Sequence, residues 1–342
     1  MAKKNDNTGE LLQWVAAGAG LFLVGSAIYN ELNKFNLAGK VVLVTGGSRG
    51  LGLELSRQLV KKGARVGICA RTEDQLEKAR QELTSLGGDV LASKVDLTNR
   101  SEVKKLISDL IRYFGRLDVV VNNAGVIQVG PVQSMGLKDY EEAMDVNFWA
   151  SLYTMHHALP HFLRQGGGRI VNITSIGGKI AVPHLLPYSA SKFALVGLSE
   201  GMHAELKQHN IHVTTVVPNL IRSGSPRNVV VKGDHEKEYA WFKHADSNPL
   251  LSQSVDVAAR RIIKAIEYGD TERVLGATAK IATFLNGLAP SWVSTLLSLT
   301  NQFLPVSTGA DVSVKGYQAE SKRSKGPVSS ISDRQAVRNN EM

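Results

Sequence analysis

Short apolar runs alternate along the middle of the chain with stretches whose apolar residues recur at helical spacing. The runs are Val41–Thr45, Arg65–Ala70, Val90–Val95, Leu117–Asn122, Arg169–Thr174, His212–Val217 and Arg273–Ala277. Between them, Thr72–Leu86, Ser101–Phe114 and Ser191–His209 carry a 3.6-residue period, and a further helix begins near Leu51. Strands apolar at nearly every position are buried on both faces, and regular alternation with helices makes them parallel. The pattern predicts an α/β fold: a doubly wound parallel sheet with helices on both sides. No self-similarity occurs at the roughly 20–50-residue periods of solenoids and propellers, which excludes a repeat architecture.

The two ends depart from this pattern. Leu11 to Asn30 is a run of twenty residues without a charge, and at the helical rise it covers about 30 Å, the thickness of a bilayer core. Trp14 and Tyr29 lie near its ends, where amphipathic rings favour the headgroup level, and Lys3 and Lys4 precede it. The segment reads as an N-terminal transmembrane helix. A cleaved signal peptide with Gly25 and Ala27 at its cleavage site is the competing reading, and a buried core helix a third. From Ile281 to Ala310 charge is again absent, but Ser, Thr and Asn interrupt the apolar positions and Pro290 breaks the helix. Two short amphipathic helices are predicted there, lying on a bilayer or over a substrate mouth, or packing as ordinary core or dimer surface. From Asp311 onward the composition is polar and rich in Ser and Lys, which predicts a disordered tail. The expected organisation is therefore an anchor over 1–35, a catalytic domain over 36–278, amphipathic helices over 279–310 and a tail over 311–342.

Composition narrows the picture. The chain has 342 residues, 43% of them hydrophobic and 21% charged, enough for one sizeable core with appendages. Cys69 is the single cysteine, so no internal disulfide supports the fold. A formal charge of +9 suits an acidic partner. Aromatic and basic residues do not interleave, which favours anionic lipid over nucleic acid.

The candidate chemistry lies at the carboxyl ends of the predicted strands, where open α/β sheets bind ligands. Thr45-Gly46-Gly47-Ser48-Arg49-Gly50-Leu51-Gly52 joins the first strand to the first helix. Its glycines permit a tight turn and close approach of backbone to a pyrophosphate, and the helix start offers free N–H groups. After the second strand, an NAD site usually places a carboxylate on the ribose 2′-hydroxyl. Here the chain reads Cys69-Ala70-Arg71-Thr72, and Arg49 with Arg71 would hold a 2′-phosphate, which predicts NADP(H). Two merely solvated arginines are the alternative. Asp96-Leu97 follows the third strand and Asn122-Asn123-Ala124-Gly125 the fourth. Ser175 follows the fifth, and thirteen residues on, Tyr188 and Lys192 stand one helical turn apart on a shared face.

Taken together and in order, these motifs resemble the short-chain dehydrogenase/reductase family over roughly residues 38 to 277. The resemblance implies a Rossmann-like domain with a seven-stranded sheet, and an enzyme acting on CH–OH groups. It implies Tyr188 as catalytic acid/base, Lys192 as its partner, Ser175 as the hydroxyl that orients substrate, and Asn147 of Asp145-Val146-Asn147 as the fourth catalytic member. It further implies that Asp96 meets the adenine, that Asn123 and Ala124 line the cofactor, and that Pro218, Ile221 and Ser223 lie at the nicotinamide. In that last stretch Asn219 stands where the family has glycine and Ser223 where it has threonine. Pairing of subunits into a homodimer or homotetramer is implied in the same way.

Residue chemistry supports the assignment independently. A free tyrosine, with a pKa of about 10, is a reluctant base at neutral pH, and a cation one turn along would favour its phenolate. Asn147 would hold a water linking Lys192 to solvent. His156, His157 and His161 share a helix face without a nearby carboxylate or thiol, so no metal site is expected. Between Ser223 and Pro249 the chain reads as irregular, and His235, Tyr239, Trp241 and Phe242 suit a lid over a bulky apolar substrate. The reading is an NADP(H)-dependent oxidoreductase for a lipophilic carbonyl or secondary alcohol, anchored in a bacterial inner membrane or the endoplasmic reticulum. A catalytically silent NADP(H)-binding sensor or scaffold at a membrane is the competing function.

Overall fold

The computed structural model describes residues 34–307, 312–326 and 329–342, together with residues 13, 14, 25 and 31. Apart from three positions, the candidate spanning segment Leu11–Asn30 lies outside the described residues. Among the described residues no helix is long and apolar enough to cross a membrane. The account below concerns the compact unit formed by residues 37–342.

Seven parallel strands form the central sheet: β1 (Val41–Thr45), β2 (Arg65–Ala70), β3 (Val90–Lys94), β4 (Val119–Asn122), β5 (Gly168–Ile173), β6 (Ile211–Pro218) and β7 (Glu272–Leu275). Their order across the sheet is β3-β2-β1-β4-β5-β6-β7. The direction of winding reverses between β1 and β4, so the crevice beyond their carboxyl ends is where a ligand enters such a sheet. β1 is buried at every position, as its unbroken apolar run requires.

Helices α1 (Gly50–Lys61), α2 (Glu73–Ser85), α3 (Arg100–Phe114), α4 (Leu137–Met144), α5 (Ala150–Gln165) and α6 (Leu186–Leu206) follow successive strands or continue one another. α3 shows how sequence sets the boundaries. Asn99 accepts from the N–H groups of Ser101 and Glu102 at its start, and Gly115, at φ 80°, ends it in the left-handed region that glycine tolerates. Its apolar face, Val103, Leu106, Ile107 and Leu110, packs against strand residues Val41, Leu43 and Val120.

A chain of polar side chains is embedded in this core. Thr154 on α5 donates to Asn122 (2.5 Å), Asn122 to Asn172 on β5 (2.8 Å), and Asn172 to Ser199 on α6 (3.1 Å), where Thr215 on β6 also donates (2.7 Å). Each member is 2% exposed or less. Three strands and two helices are thereby held in one register, because a slip would leave several polar groups unpaired in apolar surroundings.

Outside the sheet the structure differs from expectation in two places. Residues 223–249, expected to be irregular, contain α7 (His235–Ser247). The helical period is obscured because its buried side includes Glu238, Lys243 and Asp246 beside Tyr239 and Phe242. Each has a polar partner: His184 Nδ1 meets Glu238 at 2.8 Å, Lys243 meets Glu320 at 2.7 Å and Asp333 at 2.8 Å, and Asp246, pushed up to about 7 by burial, accepts from Ser332 at 3.2 Å. The second difference is the tail. Residues 312–326 and 329–342, expected to be disordered, fold onto the catalytic domain, with α11 (Ser329–Arg338) buried at Ser329, Ser332 and Ala336. Val314–Lys315 pairs with Val230–Val231, which in turn pairs with Gln128–Val129. Polar composition removed the apolar signal, yet small residues and ion pairs supply the packing.

α8 (Val255–Tyr268) lies against α1 and completes the sandwich. α9 (Ala277–Leu288) and α10 (Pro290–Asn301) are the two short helices anticipated before the tail. They bury almost nothing: Phe284, Leu288, Trp292 and Leu296 are 65%, 68%, 83% and 61% exposed. That excludes the reading of these helices as ordinary core of this unit.

Asn172→Ala would leave Asn122 Nδ2 without its acceptor in the core and take one of two donors from Ser199 Oγ. Unfolding stability is expected to fall by about 2–3 kcal/mol, seen as a lower urea midpoint at unchanged m value.

Candidate functional site

The turn from β1 to α1 depends on its glycines. Gly46 and Gly50 have φ of +63° and +56°, in the left-handed region where a Cβ is strained. A Cβ on Gly52 would run into the carbonyl of Gly46 and lie 2.6 Å from Asn123 Nδ2. Asn123 donates to the carbonyls of Thr45 (2.9 Å) and Gly46 (3.3 Å), and Thr45 Oγ1 accepts from the N–H groups of Asn123 (2.9 Å) and Ala124 (3.1 Å). The glycine turn and the Asn123-Ala124-Gly125 stretch are thus one rigid wall. Thr45 was absent from the sequence-predicted site, although its hydroxyl at the end of an apolar strand was the available signal.

The other predicted contacts are placed around that wall. Ser48 is buried and Leu51 half-buried within the turn. Asp96 follows β3 and accepts from Thr98 through N–H (3.0 Å) and hydroxyl (2.8 Å), while Leu97 points into the core. Arg71 is exposed at the end of β2. Pro218 ends β6 beside Leu275, and Ile221 pairs with Gln253. Ser223, 4% exposed, is the member of that stretch that reaches the turn, its Oγ 3.8 Å from where a Cβ on Gly50 would stand.

Of the four predicted catalytic residues, Asn147 and Lys192 meet beside Gly125, and Ser175 and Tyr188 beside Gly177. Tyr188 and Lys192 share one face of α6, with the ammonium 5.8 Å from the centre of the tyrosine ring. Lys192 is 4% exposed and donates to the carbonyl of Ile173 (2.9 Å) at the end of β5. Burial pushes its ammonium down to about 8. Burial pushes the Tyr188 phenol up, and a hydrogen bond from Ser175 opposes that shift. A Cβ on Gly177 would lie 3.3 Å from the tyrosine ring and 3.5 Å from Ser175 Oγ, so the bare backbone there lets the two hydroxyls meet.

Asn147 is fully buried inside one π-helical turn, Asp145–Trp149, which interrupts the run from α4 into α5. Such bulges widen the helix and re-aim a side chain, often at functional sites. Asn147 Oδ1 accepts from Val126 N–H (2.9 Å), and its Nδ2 donates to Val126 O (3.0 Å) and Ser191 Oγ (2.9 Å). A Cβ on Gly125 would stand 2.9 Å from Asn147 Oδ1 and 3.5 Å from Lys192 Nζ. Ser191, which locks this arrangement by also donating to Tyr188 O (2.8 Å), is a further member that sequence reasoning passed over.

On the far side of Tyr188 lies an apolar cluster of Leu185, Val229, Val231, Tyr239 and Phe242, with Trp241 at its edge. The arrangement sets a phenol and a hydroxyl side by side, the phenol packed against an apolar cluster. A buried cation stands behind the phenol, and the strand-end crevice bounded by the glycine turn lies beside them.

Whether the crevice suits a dinucleotide is tested by what the chain itself puts there. Gly50 N–H donates to the carbonyl of Asn339 (2.8 Å), and a carboxylate oxygen of Glu341 lies against Gly50. Arg49 Nε is 3.5 Å from the other oxygen of that carboxylate, and Asn228 donates to it at 2.6 Å. Burial pushes the Glu341 carboxyl up to about 7 against the pull of Arg49 and Asn228; the N–H, amide and guanidinium donors gathered here are the groups that would hold a pyrophosphate.

A family model described as short chain dehydrogenase matches residues 40–232. The 11-beta-hydroxysteroid dehydrogenase-like protein 3 of Arabidopsis thaliana is 37% identical over 238 residues, covering 69% of this chain and 73% of that one. A dehydrogenase/reductase SDR family protein 7-like of Anopheles gambiae is 31% identical over 267 residues, 76% of this chain and 83% of that one. Among solved structures, a short-chain type dehydrogenase/reductase from Mycobacterium marinum superposes with a TM-score of 0.63 at 26% identity, covering 72% of this chain and 98% of that one.

Gly125→Ala would press a methyl group between Asn147 and Lys192. Turnover is expected to fall about a hundredfold, the scale of a 1 Å misplacement, in a steady-state assay at saturating substrate and cofactor.

Proposed function

We propose, from the premise that this chain belongs to the short-chain dehydrogenase/reductase family, that it is an NADP(H)-dependent oxidoreductase for lipophilic carbonyls or secondary alcohols at a membrane. The observation that carries the reading is the contact of Ser175 with the Tyr188 phenol in front of the buried Lys192 ammonium. The substrate oxygen would lie between the two hydroxyls, Ser175 aligning it and Tyr188 giving or taking the proton. Lys192 stabilises the phenolate that remains after proton donation, which lowers the barrier for a group that would otherwise hold its proton. Asn147 and Ser191 fix the helix turn that carries both residues. Bound NADP(H) supplies or accepts the hydride at the carbinol carbon, held by Gly46, Ser48–Gly52, Asp96, Asn123–Gly125 and the stretch ending at Ser223.

Preference for the phosphorylated cofactor is supported by Arg49 in the turn and Arg71 after β2, where no carboxylate takes the ribose position. The apolar lining beside Tyr188 supports a lipophilic substrate. So do α9 and α10: Asn286 on α9 donates to Lys179 O (3.0 Å), which ties these helices to the segment that follows Ser175. Between them runs a groove lined by Ile180, Ala181, Phe193 and Leu297. Their exposed Phe284, Leu288 and Trp292, with Phe303 beyond, suit the interfacial layer of a bilayer, from which such a substrate would be drawn. The candidate N-terminal anchor fits the same reading, as does the kinship with hydroxysteroid dehydrogenase-like proteins.

The test is nicotinamide absorbance in detergent with NADPH and NADH across long-chain and short-chain ketones and aldehydes. Turnover with NADPH on the long-chain compounds is expected, with Tyr188→Phe lower by at least about a thousandfold. Binding of NADPH without turnover of any carbonyl would instead favour the silent sensor.

A pH dependence follows from the buried lysine. Lys192 loses its proton as pH rises through about 8 in the free enzyme. Reductive kcat/KM is therefore expected to be level below that value and to fall about tenfold per pH unit above it. A profile flat to about pH 10 would contradict the role given to Lys192.

A further inference from the structure

We propose that residues 329–342 act as an intramolecular antagonist of the dinucleotide, docking over the glycine turn and leaving it when cofactor binds. The inference rests on the reading of that turn as the cofactor's pyrophosphate site. Its basis is direct occupation. Gly50 N–H, a donor a phosphate oxygen would need, is taken by Asn339 O, and the Glu341 carboxylate lies on Gly50 between Arg49 and Asn228. Asn340 donates to the carbonyls of Ser48 and Gln75, both at 3.0 Å, closing the space between the turn and α2. Arg57 on α1 grips the same stretch through Arg338 O (2.8 Å) and Asn339 Oδ1 (2.9 Å). Asn339 Nδ2 reaches Ser223 O at 3.3 Å, so the strand-end crevice is crossed from one wall to the other.

Two atoms cannot hold one place, so segment and pyrophosphate exclude each other. The segment is held by devices distinct from the crevice: Lys243 pairs with Asp333, and Ser332 donates to Asp246 at 3.2 Å. Ala336 is pressed against Gly224, where a side chain would collide with its backbone. Tethering gives the segment an effective concentration of about millimolar, so modest contacts compete well with a dissolved ligand. Most of these contacts are hydrogen bonds and ion pairs to groups that water or the ligand's own oxygens can satisfy. Displacement therefore leaves few buried groups unpaired.

The test compares the full chain, Glu341→Lys, and a chain ending at Lys325, each titrated with NADPH by tryptophan fluorescence. Both altered chains are expected to bind NADPH at least about tenfold more tightly, since a docked fraction of about 0.9 raises the apparent Kd tenfold. A synthetic peptide of residues 329–342 is expected to weaken NADPH binding to the shortened chain competitively. NADPH is also expected to hasten tryptic cleavage after Arg334 and Arg338 in the full chain. Equal affinity in all three chains would overturn the proposal. So would weaker binding in the shortened chain, restored by the peptide, which would make the segment a clasp over the cofactor. If none of the three binds NADPH or NADH, the reading of the glycine turn falls, and this inference with it.

Discussion

The Lys192 ammonium sits where almost no water reaches, and the remainder of the site is arranged around the cost of holding a cation there. Desolvation is severe for an ammonium, and the carbonyl of Ile173 offsets part of it at 2.9 Å. That bond ties α6 to the end of β5, which fixes Tyr188 one turn earlier at the same strand end that delivers Ser175. Room for the lysine head comes from residues without side chains. Gly125 leaves space for it beside Asn147, and a Cβ on Gly178 would lie 2.8 Å from the Lys192 carbonyl. The π-helical turn then brings Asn147 to the same point from a third element. Fold and proposed chemistry meet in this lysine: a parallel sheet gives the strand-end crevice, and in the proposed reading the buried cation would make Tyr188 usable as an acid.

Much of this was legible in the sequence because its signals are local. Apolar runs located the strands to within one or two residues, most clearly the central ones such as β1, which is buried at every position; the edge strands β3 and β7 are only partly buried and carry polar residues. The Gly46-to-Gly52 turn and the Tyr188–Lys192 spacing depend on backbone geometry that particular residue types enforce. Ser191 and Thr45 escaped notice because a small hydroxyl residue on a helix or at a strand end carries no pattern. The buried links among Asn122, Thr154, Asn172, Ser199 and Thr215 join positions distant in sequence, and pairing of that kind is written only in the fold. In α7 the buried face includes Glu238, Lys243 and Asp246, so hydrophobic periodicity could not find it. In α11 the buried face is Ser329, Ser332 and Ala336, too small and polar to register.

The tail follows the same logic at larger scale. A polar, serine-rich composition normally cannot bury enough apolar surface to order a chain. Here ordering rests on polar contacts: Lys243 pairs with Glu320 and Asp333, and Arg57, already paired with Glu54 and Glu82, adds bonds to Arg338 O and Asn339 Oδ1. The glycine turn takes up a carbonyl and a carboxyl group from its own chain, as the proposed nucleotide site would take up phosphate oxygens. At the opposite extreme, α9 and α10 carry apolar side chains that the described protein leaves uncovered. One appendage therefore addresses the polar end of the crevice, and the other lies beside the segment that follows the catalytic serine.

In the proposed reaction Tyr188, Ser175 and Lys192 together serve hydride exchange at a carbonyl carbon. The most direct measurement follows a label rather than a rate. The protein is incubated with NADPH deuterated at the transferable ring position and a long-chain ketone, and the alcohol is analysed by mass spectrometry. One deuterium on the carbinol carbon is the result this account predicts, with the amount of labelled alcohol falling sharply for Lys192→Met. Unlabelled alcohol, or none from a protein that binds NADPH, would contradict it.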